Sequence, residues 1–304
     1  MKLKALSHYD GDRDTRFGDC IILYNETQLI VYDCGHIRHA ETVEKFLQQH
    51  SMINEIYIVI SHNDSDHTDG IKDFLEWLSR KKYDVTIYTS LYLKHADAVE
   101  KLLDDGRRNK KSICNHILDL FNHIAEIVEK AQEYDFSVKD ATKGTILSSA
   151  KIVGPKEEDF IEVAAKAIEE DGKGKISGET VMNAASVQIR VILDNQKKVL
   201  LSGDATPNYI ENIDDYDIIQ FPHHGQLEDG KAILNELDDP YSKEFLISDN
   251  TGSGQTSGGS ADLVEYMKME KFKTAYNTQN GVISLPTSDS TSNVRGVRLG
   301  VFYT

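Results

Sequence analysis

The chain has 304 residues, a formal net charge of −16 at neutral pH, 39% hydrophobic residues and 28% charged residues. That length supports one large α/β domain or two small ones, and the proportions exclude a disordered or fibrous protein. No run of about 18 apolar residues occurs, so no transmembrane helix is expected, and the excess of carboxylates opposes broad attraction to nucleic acid or anionic membrane.

Cys20, Cys34 and Cys114 form no C-x-x-C pair. The first two stand in apolar runs and read as buried free thiols, which suits a reducing compartment. The opening residues, MKLKALSHYDGD, are too short and polar for a secretory leader, so a cytoplasmic location is expected.

Residues 2–7 alternate weakly, and residues 20–24 and 28–33 are β-rich runs separated by the turn-like Asn25-Glu26, a hairpin pattern. Gly18-Asp19 opens the first run and Asp33-Cys34-Gly35 closes the second. Val43, Phe46 and Leu47 predict a helix over residues 39–49. Residues 56–60 are a near-continuous apolar run, as in a strand buried on both faces, and it stops at Ser61. His62, Asp64, Asp66, His67 and Asp69 follow at once, then Gly70. Carboxylates gathered so closely repel one another and are costly to desolvate. A divalent cation removes that cost and keeps the imidazoles neutral. The bland alternative is a solvated acidic loop.

Ile71, Phe74, Leu75 and Leu78 predict an amphipathic helix from about Asp69, and residues 84–93 read as a strand. Residues 94–140 read as a helical elaboration, with Ile113, Ile117, Leu120, Phe121, Ile124, Ile127 and Val128 keeping a helical period in one helix or two. It would lie on the core or on a partner, including a second copy. Arg107, Arg108, Lys110 and Lys111 precede it, either as a solvated helix start or as a phosphate-contacting edge. His116 and His123 read as surface histidines of this helix.

Residues 144–155 return to strand, residues 157–169 to helix, and a Gly/Lys-rich loop follows over 172–178. Strands are predicted over 187–193 and 198–201, the second running into Ser202-Gly203-Asp204. The strand over 217–221 runs into Pro222-His223-His224-Gly225. A strand over 245–249, the turn TGSGQTSGGS, a helix over 261–269 and a strand pair over 276–284 complete the pattern.

The run His62-x-Asp64-x-Asp66-His67 at the end of a buried strand resembles the H-x-H-x-D-H signature of the metallo-β-lactamase fold, with Asp64 in place of the second histidine. That variant resembles the hydrolase domain of ComEC-type competence (DNA-uptake) proteins. Gly18-Asp19, Asp33-x-Gly35, Gly154-Pro155, Asn183-x-x-Ser186, Gly203-Asp204, His223-His224-Gly225 and the run from Thr278 to Ile283 extend the likeness over roughly residues 17–285, with 94–140 outside it. Two features depart from the family. The Ser/Gly-rich turn lacks a His-Pro. No histidine stands convincingly between the second and fourth motifs, where His95, His116 and His123 have the wrong context and Asn183 is a weak substitute.

The resemblance implies a four-layer αββα sandwich with a helical insertion over about 94–140, as a single domain over 1–304. It assigns His62 and Asp64 to one metal ion, Asp66, His67 and one of His223 and His224 (provisionally His223) to another, and Asp204 to both. Asp33 and Asn183 support them from behind. Asp66 and His224 are the catalytic candidates, His224 as donor to a phosphate or to a leaving oxygen. Two divalent ions are implied, Mn²⁺ ahead of Zn²⁺ or Mg²⁺ because oxygen ligands predominate. The implied activity is a two-metal hydrolase, a phosphodiesterase or nuclease on DNA or RNA, with Arg107, Arg108, Lys110 and Lys111 as the nucleic-acid foothold. The alternatives are a hydrolase of a small phosphoester or nucleotide, and a catalytically silent binding or regulatory module.

Overall fold

The computed structural model describes residues 1–9, 17–103, 108–176, 179–250 and 260–287. The chain begins with three antiparallel strands, β1 (Lys2–Ala5), β2 (Ile21–Tyr24) and β3 (Gln28–Tyr32). Helix α1 (Ile37–Gln49) crosses to β4 (Glu55–Val59), which lies parallel to β3. The metal-type motif forms the loop after β4 and the single turn α2 (Ser65–Thr68), and α3 (Ile71–Ser79) leads to β5 (Asp84–Thr89), again parallel.

The insertion comprises α4 (Ala96–Leu103), α5 (Lys110–Leu120) and α6 (Asn122–Glu133), broken at Phe121. It is not wholly helical, because residues 137–140 form β6 (Ser137–Asp140), which extends the first sheet beside β5. Two predicted strands are also shorter. The run over 84–93 ends at Thr89 and turns into a 3₁₀ helix at Tyr92–His95. The run over 144–155 is a hairpin, β7 (Ile146–Leu147) and β8 (Ala150–Gly154), turning at Ser148 with φ +44°.

Helix α7 (Glu157–Glu169) packs on the insertion, and a small ribbon, β9 (Lys175–Ile176) and β10 (Glu179–Thr180), leads to the turn α8 (Val181–Ala184). The second sheet continues through β11 (Gln188–Ile192), β12 (Lys198–Leu201), β13 (Ile218–Gln220), α9 (Leu227–Glu236), β14 (Glu244–Ile247), α10 (Ala261–Met269) and β15 (Tyr276–Asn277). The chain then crosses back, and β16 (Ile283–Leu285) joins the first sheet beside β1. The predicted strand pair over 276–284 is therefore split between the two sheets.

The strand orders are β16-β1-β2-β3-β4-β5-β6 and β7-β8-β11-β12-β13-β14-β15. Each sheet has three antiparallel pairings followed by three parallel ones. The central strands are apolar on both faces, as parallel strands covered on both sides must be. Ile30, Tyr32 and Val59 of one sheet and Ile189, Val199 and Leu201 of the other form the layer between them. Ile56, Ile58 and Ile87 face α1, α3 and the insertion on one outer side, and Ile219, Phe245 and Ile247 face α9 and α10 on the other. Each aliphatic side chain so buried contributes roughly 1.5–3 kcal/mol against the entropy of ordering it. The result is the four-layer αββα sandwich with an insertion. Among the described residues no helix is long and apolar enough to cross a membrane.

Candidate metal centre

The loops after the parallel strands of both sheets converge at one edge. Two hydrogen bonds link the sheets there. The Tyr32 hydroxyl donates to Val187 O at 2.6 Å, and Val187 N donates to Ser61 O at 2.8 Å.

The loop after β4 is gripped from below by the first hairpin. Asp19 N donates to Asp66 O at 2.8 Å, Cys34 N to His67 O at 2.9 Å, and Gly35 N to Asp19 O at 2.9 Å. A Cβ at either Gly18 or Gly35 would lie 1.8 Å from Asp66 O, so this approach requires glycine at both positions.

Three imidazoles and several carboxylates meet above this platform. His67 is fully buried, and its Nδ1 lies 2.8 Å from Asp33 Oδ2. Asp33, itself at φ +59°, also accepts from Ser61 N and Ser61 Oγ, each at 2.7 Å. Its oxygens are thus engaged, the His67 proton is fixed on Nδ1, and Nε2 is left toward Asp204 Oδ1 at 3.5 Å. His62 presents Nε2 to Asp64 Oδ2 and Asp204 Oδ2, each at 3.8 Å, while its Nδ1 lies 2.9 Å from Ser61 Oγ.

The second sheet supplies Asp204 after β12, and His223 and His224 after β13. Both histidines adopt left-handed backbone, at φ +51° and +54°, which turns neighbouring side chains in different directions. His224 is buried. Its Nδ1 lies 3.1 Å from both Asp19 Oδ1 and Ser248 O, and its Nε2 is 3.2 Å from Asp66 Oδ2 and 3.8 Å from Asp204 Oδ2. His223 lines the same cavity, but its Nδ1 faces Asp229 Oδ2 at 3.9 Å.

Burial alone would lower the pKa of His67. The Asp204 and Asp33 carboxylates outweigh it and hold the imidazole well above the usual histidine range. His224 is raised in the same way by Asp19 and Asp204. Burial would raise Asp204, but His67 and His224 hold it well below the usual carboxylate range. Asp66 is likewise held low against its burial by His224 and His67. Burial dominates at Asp19, whose carboxyl is raised although His224 partly offsets it.

A divalent ion fits this arrangement. The buried Nε2 atoms of His62 and His67 and Oδ1 of Asp204 have no hydrogen-bond partner, a costly state for buried polar atoms unless something else binds them. Candidate ligand atoms of His62, His67 and Asp204 lie within 4.8 Å of one another, as do those of Asp19, His67 and His224. His67 belongs to both groups, and His62 and His67 both approach Asp204.

The cavity holds about 510 Å³ and is lined by Asp64, Asp66, Asp204, His223 and His224 together with Asn63, His123, Thr180 and Asn183. Asn183 is on the wall, accepting from Thr180 Oγ1 at 2.8 Å. No lysine or arginine lines it among the described residues. The basic run lies elsewhere: Lys110 pairs with Asp97 at 2.6 Å, and Lys111 borders a separate depression with Asn115 and His116. Arg107 and the turn at 251–259 lie outside the described residues, and Arg108 is not among those lining the cavity.

Sequence reasoning missed Asp19, Asn63 and His123 as parts of this site. Asp19 stood within a quoted motif, so its signal was available. Asn63 likewise stood inside the metal-type motif, whereas His123 had no such signal, because its proximity depends on how the insertion folds back.

No family model and no curated protein matches the chain. Solved structures do resemble it. The metallo-β-lactamase fold protein YhfI from Bacillus subtilis is 12% identical with a TM-score of 0.48, over 93% of this chain and 99% of that one. The short form of human tRNase Z is 12% identical with a TM-score of 0.41, over 94% and 100%. A long form RNase Z from yeast is 13% identical with a TM-score of 0.38, over 81% of this chain and 36% of that one.

Proposed function

We propose that the protein is a metal-dependent hydrolase of phosphoester bonds. The observation that carries this reading is the set of buried, unpartnered ligand atoms on His62, His67 and Asp204, drawn together from both sheets, with Asp204 lining the cavity. Asp64, Asp66 and His224 would complete the donor set around Asp204. Of the two adjacent histidines, His224 is taken as the ligand, because its Nε2 reaches Asp66 and Asp204, and His223 lines the cavity beside it. Three imidazoles among the donors keep Zn²⁺ a rival to Mn²⁺, with Mg²⁺ third. Bound ions would supply Lewis-acid activation of water and neutralise charge on a phosphoryl group.

The chain's own residues prepare that chemistry. Asp33 and Asp19 hold the Nδ1 protons of His67 and His224, so that each Nε2 is turned to the floor. Asp66 and Asp204, ionised, balance the cationic charge. His223, Asn183 and Thr180 offer polar atoms to a substrate from the wall.

The finer reading, a nuclease on DNA or RNA, is supported by the motif variant resembling the ComEC-type hydrolase domain. A specific observation favours the second reading, a small phosphoester or nucleotide. The cavity carries carboxylates and no lysine or arginine among its described lining, and Arg108, Lys110 and Lys111 are not part of that lining. The deciding experiment is turnover with Mn²⁺, Mg²⁺ and Zn²⁺ against plasmid, single strands, RNA and bis(4-nitrophenyl) phosphate. Cleavage of polymers supports the nuclease, cleavage of the small diester alone supports the second reading, and no cleavage with metal bound overturns both.

A further inference from the structure

The helical insertion reaches the metal loop through two side chains. Asn63 lies between His62 and Asp64 and is buried. Its carboxamide bridges the break between α5 and α6: Oδ1 accepts from Ile124 N at 3.0 Å, and Nδ2 donates to Leu120 O at 3.3 Å. Phe121, the residue at the break, gives α6 no side-chain cap, so Asn63 satisfies from outside the helix a donor that the first turn leaves open.

His123 stands in that first turn and lines the cavity with Asp64, Asp66, Asp204 and His224. Its Nδ1 is 3.3 Å from Thr68 Oγ1. Thr68 Oγ1 also lies 2.9 Å from Asp64 O, so its one hydroxyl proton serves either acceptor; turned to His123 Nδ1, it leaves the ring proton on Nε2 as a donor. Among the described residues Nε2 of His123 has no hydrogen-bond partner. It is the imidazole that the insertion brings to the cavity, and its Nδ1 meets a hydroxyl rather than a carboxylate, which distinguishes it from His67 and His224.

We propose that His123 is a substrate-contacting residue that binds a phosphoryl oxygen from the wall opposite the floor, and that Asn63 is the positioning residue that holds it there. This rests on the phosphoester reading of the same site. It assigns the insertion a place in recognition through one imidazole donor rather than through the basic run.

The test uses the full chain reconstituted with Mn²⁺ and inorganic phosphate as the probe, with binding followed by calorimetry and metal content by elemental analysis. His123→Ala should weaken phosphate binding by about tenfold or more while metal content and melting temperature stay at wild-type values. His123→Gln, which keeps an N–H donor near the same reach, should recover most of that loss. Asn63→Ala should reproduce a part of it, and Asn63→Ala in the His123→Ala background should add nothing, because both act through one group. Unchanged phosphate binding in His123→Ala overturns the proposal, as does loss of metal in that variant or full additivity of the pair. If the wild type binds phosphate with these dependences but cleaves no phosphoester, the hydrolase reading fails while the assignment of His123 stands.

Discussion

The two sheets carry the same series of pairings, yet their matching strand ends do different work. β3 and β12 are each the strand at which antiparallel pairing gives way to parallel. After β3 comes Asp33, whose two oxygens are taken by Ser61 and His67. After β12 comes Asp204, whose oxygens face three imidazoles while Oδ1 makes no hydrogen bond. A carboxylate that commits its lone pairs to the protein orients a neighbour. One that keeps them remains open to a cation. Equivalent places in a fold therefore predict where a functional group will be, and the partners of that group decide what it does.

The strongest way to break this contrast is Asp204→Ala. Turnover should fall by about 10³-fold or more, with loss of bound metal, while circular dichroism stays native because no hydrogen bond to Asp204 Oδ1 is lost. Retained turnover at saturating metal would reduce Asp204 to a turn residue.

His39 supplies the opposite case, a buried imidazole with no carboxylate beside it. Both its nitrogens lack partners, its neighbours include His8, and burial pushes its pKa down to about 3. Its folded value lies below its unfolded value of 6.5, so the folded state binds fewer protons. The associated stability is full above the unfolded value and is lost as pH falls toward the folded one. That loss amounts to about 3 kcal/mol between pH 7 and pH 4. His39→Leu should remove most of it, read as a lower midpoint of acid unfolding. An unchanged midpoint would show that His39 protonates with little cost.

Asp33→Asn and Asp19→Asn should each weaken metal binding by about 10- to 100-fold, measured by chelator competition, with smaller effects on turnover at saturating metal. In the metal-free protein His67 and His224 are raised above their usual value, so their contribution to stability is full below that value and fades as pH rises through the raised one. Metal must displace those protons, so its apparent affinity should climb with pH across the same window, and do so at lower pH in Asp33→Asn. A flat dependence would mean that the ion meets neutral imidazoles already.

The smallest effect is expected at the basic run. Lys110→Ala and Lys111→Ala should leave cleavage of a small diester unchanged. Each should flatten the salt dependence of nucleic-acid binding by a log–log slope of roughly 0.7–0.9 only if the side chain meets a phosphate. No change in that slope would separate the run from the site.

Much of the floor was legible in sequence because each ligand motif directly follows an apolar strand, and that coupling is local. The run before Ser61 and Leu200-Leu201 before Gly203-Asp204 both state where a strand ends and a polar loop begins. Helix α10 and helix α7 match their predicted bounds because their apolar spacing is unambiguous. The walls were not legible. Whether His123 faces solvent or the cavity depends on the break at Phe121 and on Asn63, a contact between residues 61 positions apart. The split of residues 276–284 between sheets was equally hidden, since each short strand reads the same in either. Nor does apolar patterning tell His223 from His224; the left-handed turn that separates them is a property of the folded backbone.

The convergence of ligands from both sheets also sets an order of events during folding. His62 and His67 come from the first sheet and Asp204 and His224 from the second, so a chain in which one sheet alone has formed holds only a partial ligand set. Closing the loop between them must precede any reward from ion binding. An ion that engages only after the sheets dock stabilises contacts absent from an earlier transition state. Added metal should accordingly slow the opening of the sandwich far more than it speeds its assembly, making the ion a latch on the finished molecule rather than a template for it.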